Sequence, residues 1–147
     1  MRVRFVLAVL AIGVAIVGCD NLTNSGGGGS NNSGTAPEIT NGGFLELDGT
    51  YLTSTLYVGT AYRFVFEITD PDKDAATVHV SEECEDGSSF TDDTDLDGMD
   101  SNPQTYATNA ATAEGPPTVC NMRLWVTDEE GNESETYAYA YQIVERF

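Results

Sequence analysis

The chain has 147 residues, room for one domain of ordinary size with appendages. It sets 24 Asp and Glu against six Lys and Arg, and a surface so negative repels phosphate backbones and anionic headgroups, which excludes nucleic-acid binding. A hydrophobic content of 40% excludes a wholly disordered chain, and one His with three Cys leaves few parts for a catalytic centre.

Arg2 and Arg4 give the chain a basic start, and Phe5 to Val17 is an almost unbroken apolar run of signal-peptide length, short for a bilayer span. The following Ile16-Val17-Gly18-Cys19 resembles the lipobox of bacterial lipoproteins, in which a cysteine is acylated and becomes the mature N-terminus. The resemblance implies a removed leader over residues 1–18, a lipid on Cys19 and attachment to a membrane of the bacterial cell envelope. Several acyl chains, at roughly 0.8 kcal/mol per buried methylene, anchor a protein stably. Asp20 follows the cysteine, which in enterobacterial lipoproteins favours the inner membrane. Bacterial groups differ in that rule, so inner and outer membrane both stay open. Without Arg2 and Arg4, four basic side chains face 24 acidic ones, a net charge of −20.

Residues 19–36 form the next segment. Asn21 to Thr35 reads NLTNSGGGGSNNSGT, with one large apolar residue and no charge. Such a stretch buries too little surface to offset its ordering entropy, so it is expected to be a flexible tether with a reach on the order of 20 Å.

Residues 37–147 carry strand signals. Tyr62, Phe64, Phe66 and Ile68 alternate with Arg63, Val65 and Glu67, the period-two pattern of a strand with one buried face. Val78 and Val80 repeat it, as do Met122, Leu124 and Val126. Asp128-Glu129-Glu130-Gly131-Asn132 supplies turn residues before Glu133 to Val144 runs back. Phe44 to Leu47, Tyr51 to Tyr57 and Thr105 to Ala111 are shorter candidates. About seven short strands with regularly spaced turns predict an all-β antiparallel sandwich, with no helix of ten residues after the leader.

Two stretches carry a further resemblance. Gly59-Thr60-Ala61-Tyr62-Arg63-Phe64-Val65-Phe66-Glu67-Ile68-Thr69-Asp70-Pro71-Asp72-Lys73-Asp74 looks like the second and third strands of bacterial immunoglobulin-like and cadherin-like repeats. Leu124-Trp125-Val126-Thr127-Asp128-Glu129-Glu130-Gly131-Asn132-Glu133-Ser134 is similar to their final hairpin. The acidic middle from Glu82 to Gln104 departs from the pattern. The resemblance implies an immunoglobulin-like sandwich over residues 37–147, with strand B at Tyr62 to Thr69, C at Ala76 to Glu82, F at Thr118 to Thr127 and G at Glu133 to Val144. In that order C and F are antiparallel neighbours, which puts Cys84 and Cys120 at one end of the sandwich as an expected disulfide. Cys19 is the odd cysteine, used by the lipid.

Two acidic clusters are candidate calcium sites. Asp93-Thr94-Asp95-Leu96-Asp97-Gly98-Met99-Asp100 resembles the DxDxDG loops of calcium-binding proteins, with Asp93, Asp95, Asp97 and Asp100 as candidate ligands. Gln104 stands where an EF-hand has its bidentate glutamate, so the stretch is at most a free-standing loop. The other cluster pairs Asp70, Asp72 and Asp74 of the B to C connection with Asp128, Glu129 and Glu130 of the F to G connection. These connections emerge together in an immunoglobulin-like sandwich. For both clusters the alternative is a set of solvated carboxylates.

Catalysis is not expected: His79 alternates outward, and no nucleophile elbow or phosphate-binding glycine loop is present. With Met122, Leu124 and Val126 inward, Arg123 and Trp125 face outward beside His79. On the last strand Tyr137, Tyr139 and Tyr141 alternate with Ala138 and Ala140. If the alanines pack inward, Tyr139 and Tyr141 extend a binding face of Trp125, Arg123 and His79; otherwise the tyrosines belong to the core. The expected function is a membrane-anchored, non-catalytic binding or adhesion module for a protein or carbohydrate partner in the envelope. A structural accessory subunit of a larger envelope assembly is the alternative.

Overall fold

The computed structural model describes residues 34–146 apart from Asp97. The expected leader, Cys19 with its lipid, the tether before residue 34 and Asp97 lie outside the described residues. The fold is all-β, and no helix occurs among the described residues. Ten strands follow in order: β1 (Glu38–Glu46), β2 (Leu52–Thr53), β3 (Thr55–Tyr57), β4 (Ala61–Thr69), β5 (Ala75–Cys84), β6 (Ser89–Asp95), β7 (Gln104–Ala107), β8 (Ala111–Thr112), β9 (Thr118–Asp128) and β10 (Tyr137–Val144). Sheet one runs β2-β1-β4-β7 with β8 also against β4, and sheet two runs β3-β10-β9-β5-β6. Every pairing is antiparallel except β3 with β10.

Alternation drives the packing. Along β4, Tyr62, Phe64, Phe66 and Ile68 are buried and the residues between them are not. From β9, Cys120, Met122, Leu124 and Val126 meet them across the sandwich. Phe64 is 2% exposed and sits 5.1 Å from the Phe44 ring and 5.4 Å from that of Tyr139. Truncation there leaves a cavity with walls contributed by both sheets, so Phe64→Ala is expected to lower unfolding free energy by about 3–5 kcal/mol in denaturant titrations.

The tyrosines of β10 face inward, which corrects their expected place on the binding face. Tyr141 is buried, Tyr137 and Tyr139 are half-buried, and Ala138 and Ala140 are exposed. Room for the rings comes from glycines in the opposite sheet: a Cβ on Gly42 would lie 3.0 Å from Tyr137 Cε1, and one on Gly43 would lie 3.3 Å from Tyr139 Oη. The hydroxyls find acceptors at the margin of the core. Tyr137 donates to Gly42 O at 3.2 Å, Tyr139 to Thr53 O at 2.8 Å and Tyr141 to Glu82 Oε2 at 2.8 Å. Alanines could not have reached across this gap.

Three other elements differ from expectation. The Tyr51 to Tyr57 candidate divides at Ser54 into β2 and β3, which belong to different sheets. The last strand begins at Tyr137, and Glu133 makes only an isolated bridge with Thr127. The acidic middle holds a regular strand, β6, with Asp93 and Asp95 exposed and Asp92 and Thr94 turned partly inward.

Cys84 and Cys120 are direct register partners on β5 and β9, with sulfurs 1.99 Å apart. Beside them, burial pushes the Glu82 carboxyl above its usual range, and the Tyr141 hydroxyl bond offsets this in part.

Candidate functional site: a carboxylate cluster and an aromatic outer face

The two candidate features lie on different parts of the sandwich. At one end, the β4–β5 and β9–β10 connections come together because Ala75 of β5 pairs with Asp128 of β9. Asp70 is fully buried and braces the first connection. Its Oδ1 accepts the Asp72 N–H at 3.0 Å, and its Oδ2 accepts those of Asp74 at 3.0 Å and Ala75 at 2.7 Å. This brace holds Lys73 at φ 62°, a left-handed conformation that a side chain seldom adopts. Asp128 braces the second connection, accepting the backbone N–H and the side-chain amide of Asn132, each at 2.7 Å. Gly131, at φ 86°, closes that turn.

With the loops so fixed, Asp74, Asp128 and Glu130 each offer a carboxylate oxygen within 4.8 Å of the others. The expected cluster is therefore divided. Asp70 is a loop brace, and Asp72 is exposed and accepts the Thr35 N–H at 2.7 Å. Glu129 is exposed, and Glu130 completes the trio. Gly34 also lies here, since a Cβ on it would be 2.8 Å from Glu130 Oε2.

The trio is electrostatically costly. Asp74 Oδ1 is buried with no donor group bonded to it. Sharing a hydrogen bond with Glu130, then burial, then the bond and charge of Asp70, raise the Asp74 carboxyl to about 7. Between its ordinary value of 3.8 and about 7, the folded chain holds a proton that the unfolded chain has released, so this contribution to stability falls as pH rises through that window. Glu82, also raised, adds the same sign. Without divalent cations, the part of the thermal midpoint that follows Asp74 is expected to decline between about pH 4 and pH 7. Comparing midpoints of wild type and Asp74→Asn across that range isolates it, because the variant has no such carboxyl to titrate.

Of the other acidic stretch, Asp93, Asp95 and Asp100 are among the described residues and Asp97 is not. Asp93 and Asp95 project from the outer side of β6, and Asp100 is exposed in the following segment. Asp93 bonds His79, and Thr77 Oγ1 donates to Asp95 at 3.3 Å. A further grouping of Glu82, Cys84 and Cys120 has its two sulfurs bonded to each other, which withdraws the thiolates a metal would need.

The outer face of sheet two carries Trp125, His79 and Arg123. His79 and Trp125 are register partners with rings stacked at 5.1 Å and 14°. The imidazole is held from both sides: Nδ1 lies 2.6 Å from Asp93 Oδ1, and Nε2 lies 2.6 Å from Thr127 Oγ1. With Nδ1–H donating to Asp93, Nε2 is left to accept the Thr127 hydroxyl. Asp93 and Thr127 were not legible as partners of His79, being 14 and 48 residues away, and only the β6–β5–β9 register joins them. The result is a preorganised aromatic pair flanked by exposed Arg123 and by carboxylates.

No protein-family model matches the chain, and no curated protein is similar to it in sequence.

Proposed function

We propose that the chain is a lipid-anchored, non-catalytic binding module of the bacterial cell envelope, with an immunoglobulin-like sandwich that carries its partner on the outer face of sheet two and calcium between its paired loops. The His79–Trp125 stack is the observation that carries the binding reading. With His79 held by Asp93 and Thr127 and the Trp125 ring stacked on it, the face loses little conformational entropy on contact, which suits recognition of a sugar ring or a protein side chain. Arg123 adds a donor fork beside it. Lipid attachment rests on the lipobox resemblance at Cys19.

Calcium rests on the chemistry of the donors. Asp74, Asp128 and Glu130 present only oxygen, which suits a hard cation, and buried Asp74 Oδ1 lacks a donor. Backbone carbonyls and water supply the remaining oxygens in sites of this kind.

Trp125 is the single tryptophan, so its fluorescence reports on the face directly. Titration with envelope polysaccharide and with detergent-extracted envelope protein is expected to give a saturable change with one of them; an unaltered spectrum with both removes the face from the reading. Trp125→Ala is expected to weaken retention of the partner more than about tenfold, as loss of an aromatic anchor does, while the thermal midpoint moves by only a few degrees.

The accessory-subunit reading is favoured by a different feature. Leu47, Tyr51 and Leu52 are exposed around the β1–β2 turn, with Tyr51 at 85%. Co-purification at fixed stoichiometry, lost in Tyr51→Ser with Leu52→Ser, would select it.

A further inference from the structure

Two strand edges flank an open side of the sandwich. β6 ends sheet two and β7 ends sheet one, and among the described residues no strand pairs with the outer edge of either. Between them lies a cleft of about 40 Å³. Phe66, Val78, Tyr106 and Leu124 are among its walls, and Asp92 and Thr94 of β6 belong to its polar lining. A void of this size holds roughly three waters, far below the several hundred Å³ that a metabolite-sized ligand fills. One aliphatic side chain matches it in volume and polarity.

The β6 edge itself is a regular one. Its seven residues keep unbroken register with β5, whereas β1 and the start of β5 carry irregularities. Regular edges are templates for an added strand, and backbone hydrogen bonds then give affinity while side chains give specificity. On the outer side of β6 stand Asp93, with a side chain 72% exposed, and Asp95. Asp92 turns toward the cleft. A second copy would set acidic residues against acidic residues, an unfavourable cross-strand pairing.

We propose that β6 accepts an extended peptide strand from a separate protein, bearing a basic–apolar–basic triplet. The apolar side chain enters the cleft opposite Thr94, and the two basic side chains stand opposite Asp93 and Asp95. Alternation along the strand produces this pattern, since neighbours of an inward residue point outward. Asp92, on the inner side, blocks pairing with neutral apolar strands. Edge, cleft and charge carry this site; Trp125 does not. Within the chain, Arg2-Val3-Arg4 is the one triplet of this kind, and it lies in the expected leader.

The test uses the full chain and a labelled seven-residue peptide of alternating Lys and Val, followed by fluorescence anisotropy. Binding is expected to weaken at least tenfold when Glu replaces Lys, and severalfold in Asp93→Asn with Asp95→Asn. N-methylation at every Lys or at every Val should abolish binding in one of the two peptides and spare it in the other, because alternate amides face opposite edges. Amides of β6 should gain protection from hydrogen exchange in the wild-type chain, a readout independent of any variant's folding. Trp125→Ala should leave peptide affinity within twofold, which separates this site from the aromatic face. Equal affinity for the Glu peptide, or equal tolerance of both N-methylated peptides, would overturn the proposal. So would self-association of the chain with protection of β6, which assigns the edge to a second copy. Binding seen only after removal of residues 1–18 would assign it to the leader, with the same consequence.

Discussion

Calcium at saturating concentration is expected to raise the thermal midpoint of the folded chain by about 10 °C. A cation bound only by the folded state stabilises it by about 2.7 kcal/mol at a hundred times Kd, and a domain of this size shifts by roughly 4 °C per kcal/mol. The gain arises at Asp74, Asp128 and Glu130, where carboxylates converge around an oxygen without a donor. Magnesium at equal ionic strength should stabilise less, because it demands a smaller octahedral shell and separates specific binding from screening. Above about pH 7, where the Asp74 carboxyl is charged, Asp74→Asn should raise the midpoint of the cation-free chain by removing that charge from the cluster, and it should abolish the calcium response. Asp95→Asn should leave that response intact, since Asp95 lies on the outer side of β6. Equal midpoints in calcium, magnesium and chelator would reduce the cluster to solvated carboxylates.

Loss of the Cys84–Cys120 link should have the larger effect. The link closes a sequence separation of 36 residues, for which the chain-entropy account gives roughly 3–4 kcal/mol. Cys84→Ala with Cys120→Ala is therefore expected to lower the midpoint by on the order of 10–20 °C. Alkylation of the folded, unreduced chain should find no free thiol at these positions. Two free thiols per chain would contradict the bond, and an unchanged midpoint in the variant would contradict its contribution to stability.

The strands with clear alternation were legible because burial itself has a period of two. Tyr62 to Ile68 and Met122 to Val126 announce their inner faces without reference to any neighbour. β6 was not legible, because Thr91-Asp92-Asp93-Thr94-Asp95 has poor strand propensity and is ordered by pairing with β5. The direction of the β10 tyrosines was undetermined locally, since both sets of its residues tolerate burial. Gly42 and Gly43, far away in sequence, decide it by leaving space. At the carboxylate end, the meeting of the two connections followed from the strand order that the immunoglobulin-like resemblance implies. Which carboxylates face one another did not, because Asp70 turns to its own backbone while the exposed Glu130 brings an oxygen within 4.8 Å of Asp74 and Asp128.

The outer face of sheet two, on a sandwich stiffened at one end, is expected to hold the envelope partner of the proposal. A pull-down from envelope extracts with the full chain as bait, repeated with a calcium chelator and with Trp125→Ala, reads this out. A partner retained by the wild type, diminished by the chelator and lost with Trp125→Ala is the expected result. Retention by Trp125→Ala at the wild-type level would contradict it.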